Sequence, residues 1–292
     1  MMLSLNLNSD LSLDSFKETA RQAESVGYSR IWVGESIGFG HSFPLLALAA
    51  EVTRRIQIGA GILSPQLNRC HHIIRAFQTL HEAYGDRFAV ALAPGDAREV
   101  ESAGATAAKP AKMVLECVGE LKKRRDERGW DLPIYVGASG PRLIAEGSAA
   151  ADGILLNYVH PEYLDWAIRQ LAQKTFLAAY GPALLLPDHA NEPLLRVAAR
   201  IVIAGANEVF LREFGLISQA SEAREALNGR PRRNGNNMPL EKLVLTGGPA
   251  EMGAKMQKLS RMGLDEVVLA TPMCRNLDSV RALANAFLGL AK

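Results

Sequence analysis

Eight short apolar runs alternate with helix-period stretches along a chain of 292 residues, and no shift of composition marks a second domain. That order predicts an α/β chain folded as a (β/α)8 TIM barrel, one domain over 1–292, with an insertion between strands seven and eight. A doubly wound open sheet is the alternative, because alternation alone does not close a barrel.

The predicted strands are 3–8, 30–34, 56–62, 88–93, 133–137, 153–157, 197–203 and 266–270. Each is a continuous apolar or β-branched run, as parallel strands covered on both faces require. Between them the helices carry start and stop signals. Ser15-Phe16-Lys17-Glu18 has the form of a capping box, Phe16, Ala20 and Ala23 share one face, and Gly27 stands where a helix ends on glycine. Pro44 opens a helix that runs to Arg54. Helices 71–84 and 110–128 close at Gly85 and Gly129, and 141–151, 161–180, 249–262 and 277–290 complete the set. Segment 205–246 is long for one connection. It holds a helix at 208–227 and a basic, Gly- and Asn-rich stretch at 228–237. The plain reading of that stretch is a surface loop; the sharper one is a lid or a clamp for an acidic ligand.

Hydrophobic residues at 48% and charged residues at 22% exclude a disordered chain. A net charge of +2 leaves no electrostatic footprint for nucleic acid, and the basic runs 122–125 and 230–233 lack interleaved aromatics. No apolar run reaches the roughly 18–20 residues of a membrane span, and the first residues lack the charged and apolar regions of a signal peptide. A cytoplasmic protein with neither a nucleic-acid nor a membrane partner is expected. Cys70, Cys117 and Cys274 are an odd set without a CxxC pair, so neither a disulfide nor a zinc site is expected, and a reducing compartment fits.

In a barrel, residues just beyond the C-terminal ends of the strands line the active site. Here these are Asn6 and Asn8, Glu35 and Ser36, 62–64, 94–96, 138–140, Asn157 and Thr271. Glycines in Gly59-Ala60-Gly61-Ile62-Leu63-Ser64-Pro65 allow close approach to a flat ligand. The turn Gly137-Ala138-Ser139-Gly140-Pro141-Arg142 opens a helix, whose free N–H groups suit a phosphate, and Arg142 adds charge; a plain tight turn is the competing reading. Glu35 and Asp96 end apolar strands, where partial desolvation would raise a carboxyl pKa and equip it for acid–base work. Capping a helix or pairing with an arginine is the competing role for both. His41 and His160 could face the site, though packed or solvated histidines are commoner. No GxSxG or Ser-His-Asp pattern supports a hydrolase.

Gly59–Pro65, then Thr79-Leu80-His81-Glu82, Tyr84-Gly85-Asp86-Arg87 and Ala93-Pro94-Gly95-Asp96, resemble in order and spacing the bacterial luciferase-like superfamily. The nearest likeness is to its deazaflavin branch, which includes methylene-tetrahydromethanopterin reductase and uses coenzyme F420. The segments 133–141, 151–157, 246–251 and 263–269 extend the resemblance over almost the whole chain, with 181–219 matched poorly. The resemblance implies a deazaflavin across the strand ends, with Gly61, Ile62, Leu63 and Ser64 behind the ring, a non-prolyl cis peptide at Gly61–Ile62, and Ala138, Ser139 and Gly140 on the phosphate; Asn157 joins that cofactor set. It implies catalytic roles for Asp96, Glu35 and Asn6, the last standing where the reductases usually carry glutamate. Glu35-Ser36 replaces an Asp-His pair, and the missing histidine argues against the branch that oxidises sugar phosphates. The implied activity is hydride transfer between the deazaflavin C5 and a carbon substrate of the CH–NH class, a reduced pterin, by a homodimer or higher homo-oligomer. An FMN-dependent monooxygenase and a non-catalytic flavin-binding paralogue are the alternatives. No metal is implied.

Overall fold

The computed structural model describes residues 1–229 and 238–288. Its strands are β1 (Met2–Leu7), β2 (Arg30–Val33), β3 (Gln57–Leu63), β4 (Phe88–Leu92), β5 (Ile134–Ala138), β6 (Gly153–Leu156), β7 (Phe176–Leu185), β8 (Leu245–Gly247) and β9 (Glu266–Ala270). All pairings are parallel, in the order β6-β5-β4-β3-β2-β1-β9-β7-β8. A further pairing of β6 with β7 closes eight of the strands into a barrel and leaves β8 as an extra strand. The closed ring excludes the open sheet.

The helices are α1 (Leu13–Ser25), α2 (Ser42–Val52), α3 (Cys70–Tyr84), α4 (Ala97–Ser102), α5 (Pro110–Arg128), α6 (Pro141–Ala150), α7 (Pro161–Ile168), α8 (Glu192–Ala204), α9 (Glu208–Glu213), α10 (Ile217–Leu227), α11 (Leu240–Leu243), α12 (Pro249–Arg261) and α13 (Leu277–Leu288). Helix α1 begins three residues before the expected capping box, because the Ser12 hydroxyl accepts the Ser15 N–H.

The largest correction concerns the seventh barrel strand. It is 176–185, its first half within the helix expected at 161–180, and the expected strand 197–203 lies inside α8. In α8 the buried residues Leu195, Ala198, Ala199, Val202 and Ile203 recur at helix spacing, while Val197 and Ile201 are exposed. The β-branched run concealed that period. The expected helix at 208–227 is two, α9 and α10, separated at Gly215, whose φ of +65° interrupts the helix.

Alternation across the pleat sorts the strands into two cores. Leu3, Leu5, Leu7, Ile31, Val33, Val90 and Leu92 face the helices. Trp32, Ala89, Ala91, Tyr135, Leu155, Ala178 and Val268 fill the barrel interior. Trp32 and Tyr135 are the large rings of this interior, and the β3 neighbours of Trp32 are small for that reason: a Cβ on Gly59 or Gly61 would come within 2.4 Å of the Trp32 ring. Beneath the ring, Glu266 accepts from Trp32 Nε1 at 2.8 Å and from Arg30 Nη1 at 2.7 Å. Arg30 also donates to Gln57 Oε1 at 2.6 Å. Both charges are buried, so each is satisfied by the other and by neutral partners.

Cys70 on α3 and Cys117 on α5 are joined by a disulfide, Cα–Cα 5.4 Å, across 47 residues of sequence. This overturns the expectation of unpaired cysteines. The barrel wraps α3 beside α5, a proximity that cysteine spacing does not reveal. Among the described residues no helix is long and apolar enough to cross a membrane.

Glu266→Ala would strand the Arg30 guanidinium in the barrel, and removing one partner of a buried pair costs about 3–5 kcal/mol. Urea unfolding of parent and variant measures that loss. A difference under about 1 kcal/mol, the range of exposed pairs, would show that the pair does not hold the interior.

Candidate functional site

The C-terminal ends of the barrel strands bring most of the nominated residues to one mouth. Asn6, at the end of β1, is buried and donates its side-chain N–H to the Trp32 carbonyl at 3.2 Å. Gly61 and Ile62 sit at the end of β3, joined by a cis peptide, and the register with β4 shifts between Gly61 and Leu63. Ile62 packs onto the interior cluster around Trp32, and a Cβ on Gly137 would lie 2.8 Å from it. The Leu63 side chain points the other way, into the core between barrel and helices. Any contact it makes with a ligand at the mouth is therefore through its backbone.

Glu35, just past β2, is gripped by the loop after β3. Asn68 Nδ2 donates to its Oε1 at 2.6 Å and the Ser64 N–H to its Oε2 at 3.4 Å. Burial pushes the Glu35 carboxyl above its usual range, and the Asn68 and Ser64 donors offset only part of that. The Ser64 hydroxyl is itself held by the Pro94 carbonyl at 2.8 Å, and Gln66 Nε2 donates to the same oxygen at 2.6 Å. Ser36 donates to Glu99 of α4 at 2.6 Å. Three loops are thus tied together at the mouth.

Asp96 departs from expectation. Burial alone would raise its pKa, but its carboxylate takes the Arg98 N–H at 2.9 Å and the guanidinium at 3.1 and 2.8 Å, and these hold it below the usual range. It caps α4 and pairs with an arginine, the competing role, so it is a fixed anion and not a raised acid.

On the far side of the mouth, Ala138 ends β5, and Ser139 and Gly140 lead into α6. That helix starts on Pro141 with no side-chain cap, which leaves the first-turn N–H groups without intrahelical partners. Tyr158 donates to the Ser139 carbonyl at 2.6 Å and stacks on Phe210 of α9, with centroids 4.0 Å apart. A Cβ on Gly140 would fall 2.5 Å from the Asn207 amide. The insertion therefore rests on this turn. Asn157, beyond β6, is exposed. Arg142 turns away to pair with Glu146 at 2.8 Å. His41 caps α2 and His160 lies against Tyr163. The basic stretch 230–237, with the lid or clamp read onto it, lies outside the described residues.

Asn68, Gln66, Tyr158 and Asn207 were not among the nominated residues. Gln66 and Asn68 directly follow the glycine segment, but nothing in their spacing separates them from ordinary loop amides.

The folded Glu35 carboxyl keeps its proton to higher pH than an unfolded one, so its charge costs stability at neutral pH. That cost disappears as the pH falls below the unfolded carboxyl's range. Glu35→Gln should therefore melt at or above the parent at pH 8, with the difference gone at pH 4. A lower melting temperature for the variant at pH 8 would show a carboxylate stabilised by its site.

Residues 3–128, which span the first four strands, match the family model of luciferase-like monooxygenases. The 5,10-methylenetetrahydromethanopterin reductase of Archaeoglobus fulgidus is 23% identical over 303 residues, covering 90% of this chain and 91% of the relative. The structure of the coenzyme F420-dependent tetrahydromethanopterin reductase from Methanopyrus kandleri superposes with a TM-score of 0.85 at 18% identity, covering 100% of this chain and 99% of that one. An F420-dependent secondary alcohol dehydrogenase, solved with an F420-acetone adduct, reaches a TM-score of 0.72 at 16% identity, with coverage of 100% and 99%. At these identities the structural likeness is one of fold. The similarity to the luciferase-like monooxygenase model thus lies in residues 3–128, and the barrel as a whole shares the fold of the reductase structure.

Proposed function

We propose that this protein is a coenzyme F420-dependent oxidoreductase that moves a hydride between the deazaflavin C5 and a carbon substrate, in the manner of 5,10-methylenetetrahydromethanopterin reductase. The observation that carries the reading is the near full-length similarity to a reductase of that name, combined with a mouth whose residues fit the cofactor. Small residues, Gly34 and Ala93, follow β2 and β4 on either side of the Gly61–Ile62 end of β3, where a flat ring needs room. The uncapped start of α6 offers N–H groups and a helix dipole to a phosphate.

Bound there, the deazaflavin supplies hydride chemistry at its C5. Gly61, Ile62 and Ser64, with the Leu63 backbone, form the wall behind the ring. Ala138, Ser139 and Gly140 take the phosphate, with Asn157 at the rim. A reduced pterin, the proposed CH–NH substrate, would accept the hydride at a carbon double-bonded to a positively charged nitrogen. Glu35 and Asp96 carry the negative charge that steadies that cation in a partly water-excluded site. Asn6 cannot ionise; it orients the floor through the Trp32 carbonyl. The family resemblance also carries a single-domain, cytoplasmic homodimer or higher homo-oligomer, which light scattering on purified protein measures.

The family model supports a second reading, an FMN-dependent monooxygenase. Fluorescence titration of the purified protein with oxidised F420 and, separately, with FMN decides between them. Selective F420 binding at micromolar concentration is expected. Selective FMN binding would establish the second reading, and binding of neither would favour the non-catalytic paralogue.

Asp96→Asn removes a fixed anion without removing its volume. Turnover with F420 and a reduced pterin should fall about 10²-fold, in the range of preorganised electrostatic groups, while F420 affinity changes less than about threefold. Unchanged turnover would remove Asp96 from the site.

A further inference from the structure

Glu35 reaches the mouth on a loop, yet its carboxylate is hydrogen-bonded at both oxygens. Its two carboxylate oxygens have separate donors, and both donors come from the turn after β3: Asn68 Nδ2 at 2.6 Å and the Ser64 N–H at 3.4 Å. That turn is closed on itself, with the Leu67 and Asn68 N–H groups donating to the Ser64 carbonyl at 3.0 and 2.8 Å. It is also anchored to the next loop through the Ser64 hydroxyl and Pro94. Asn68 is 8% exposed and Ser64 fully buried, so water does not compete freely for either bond.

We infer that Asn68 is the positioning residue for Glu35, fixing where its carboxylate lies at the mouth and keeping it ionised there. An amide of this kind belongs to the site for a physical reason. A buried carboxylate without a donor takes up a proton, and a protonated Glu35 cannot steady a cationic substrate. The short Asn68 bond is the stronger of the two, because hydrogen bonds to a charged acceptor are about twice as strong as neutral ones and weaken with length. The charged groups around Glu35 act in opposite directions: His41 at the start of α2 favours the carboxylate, and Glu99 on α4 opposes it. Asp96 is occupied by Arg98. Removing Asn68 would leave Glu99 facing Glu35 with the weaker Ser64 contact as the remaining short-range donor. The loop that backs the cofactor in the proposed reading would in this way also set the charge of the group facing the substrate.

The inference rests on the proposed role of Glu35, and the test separates the two. The full chain is labelled with ¹³C at the glutamate side-chain carboxyls, and the Glu35 signal is identified by its loss in Glu35→Gln. In Asn68→Leu the Glu35 titration midpoint should rise relative to the parent. The turnover of reduced pterin with F420 should then fall about tenfold more at pH 6 than at pH 8, the size of one charge-assisted hydrogen bond. Asn68→Asp, close in shape but lacking the donor and adding a like charge, should move the midpoint the same way, and it carries the test if the leucine variant does not fold. A Glu35 midpoint unmoved in the folded variants would overturn the inference even if their melting temperatures drop, because that pattern marks a packing role alone. If the parent turns over no pterin, the functional reading fails while the titration still decides the role of Asn68.

Discussion

One buried carboxylate organises the barrel. Glu266 takes the Trp32 indole N–H and the Arg30 guanidinium together, in an interior whose remaining cluster is Tyr135 with alanine, leucine and valine. Burying two charges is costly, and such a pair adds little net stability over an apolar core. What it does is fix one large ring in one place. With Trp32 pinned from below, the strand opposite it has no room for side chains at 59 and 61, and Ile62 comes to rest on the same cluster. The floor of the mouth is therefore set by a polar contact one layer down.

Above that floor, two carboxylates of similar apparent rank in the sequence take opposite characters. Asp96 sits at a helix start within reach of a guanidinium and stays ionised over a wide pH range. Glu35 has an amide, a backbone N–H and a second carboxylate nearby, and burial dominates. Chain position alone put both at strand ends. Their partners, two to thirty-three residues away in sequence, decided which would be a permanent charge and which would hold its proton to higher pH.

Much of the barrel was legible in the sequence because parallel strands covered on both faces read as unbroken apolar runs, and six of the eight barrel strands fall within a residue or two of 3–8, 30–34, 56–62, 88–93, 133–137 and 153–157. The last strand, 266–270, was equally plain. The seventh was not. Phe176–Leu185 combines alanines with a Tyr-Gly-Pro interruption, so local preference reads helix then turn, and only pairing with β6, β8 and β9 makes it a strand. Conversely, Val and Ile crowded into α8 suggested a strand where the period was helical. Most of the nominated residues lie at the mouth, the Leu63 side chain and Arg142 turning away from it, since the barrel rule depends only on strand order. Asn68, Tyr158 and the Cys70–Cys117 bond were hidden because each depends on which neighbouring loops and helices touch.

The doubled pairing of β7 bears on how the molecule moves. Its first half, 176–179, closes the barrel with β6, and its last part, 183–185, pairs with β8 at the end of the insertion. Main-chain bonds to the same strand make that end of the insertion continuous with the barrel wall, so it cannot swing as a separately hinged flap. Slow amide exchange should run without a break from the barrel into 245–247. Across the barrel, the loop after β2 is tied to its neighbours through Glu35 and Ser36, while its tip leaves Ile37 and Phe39 exposed.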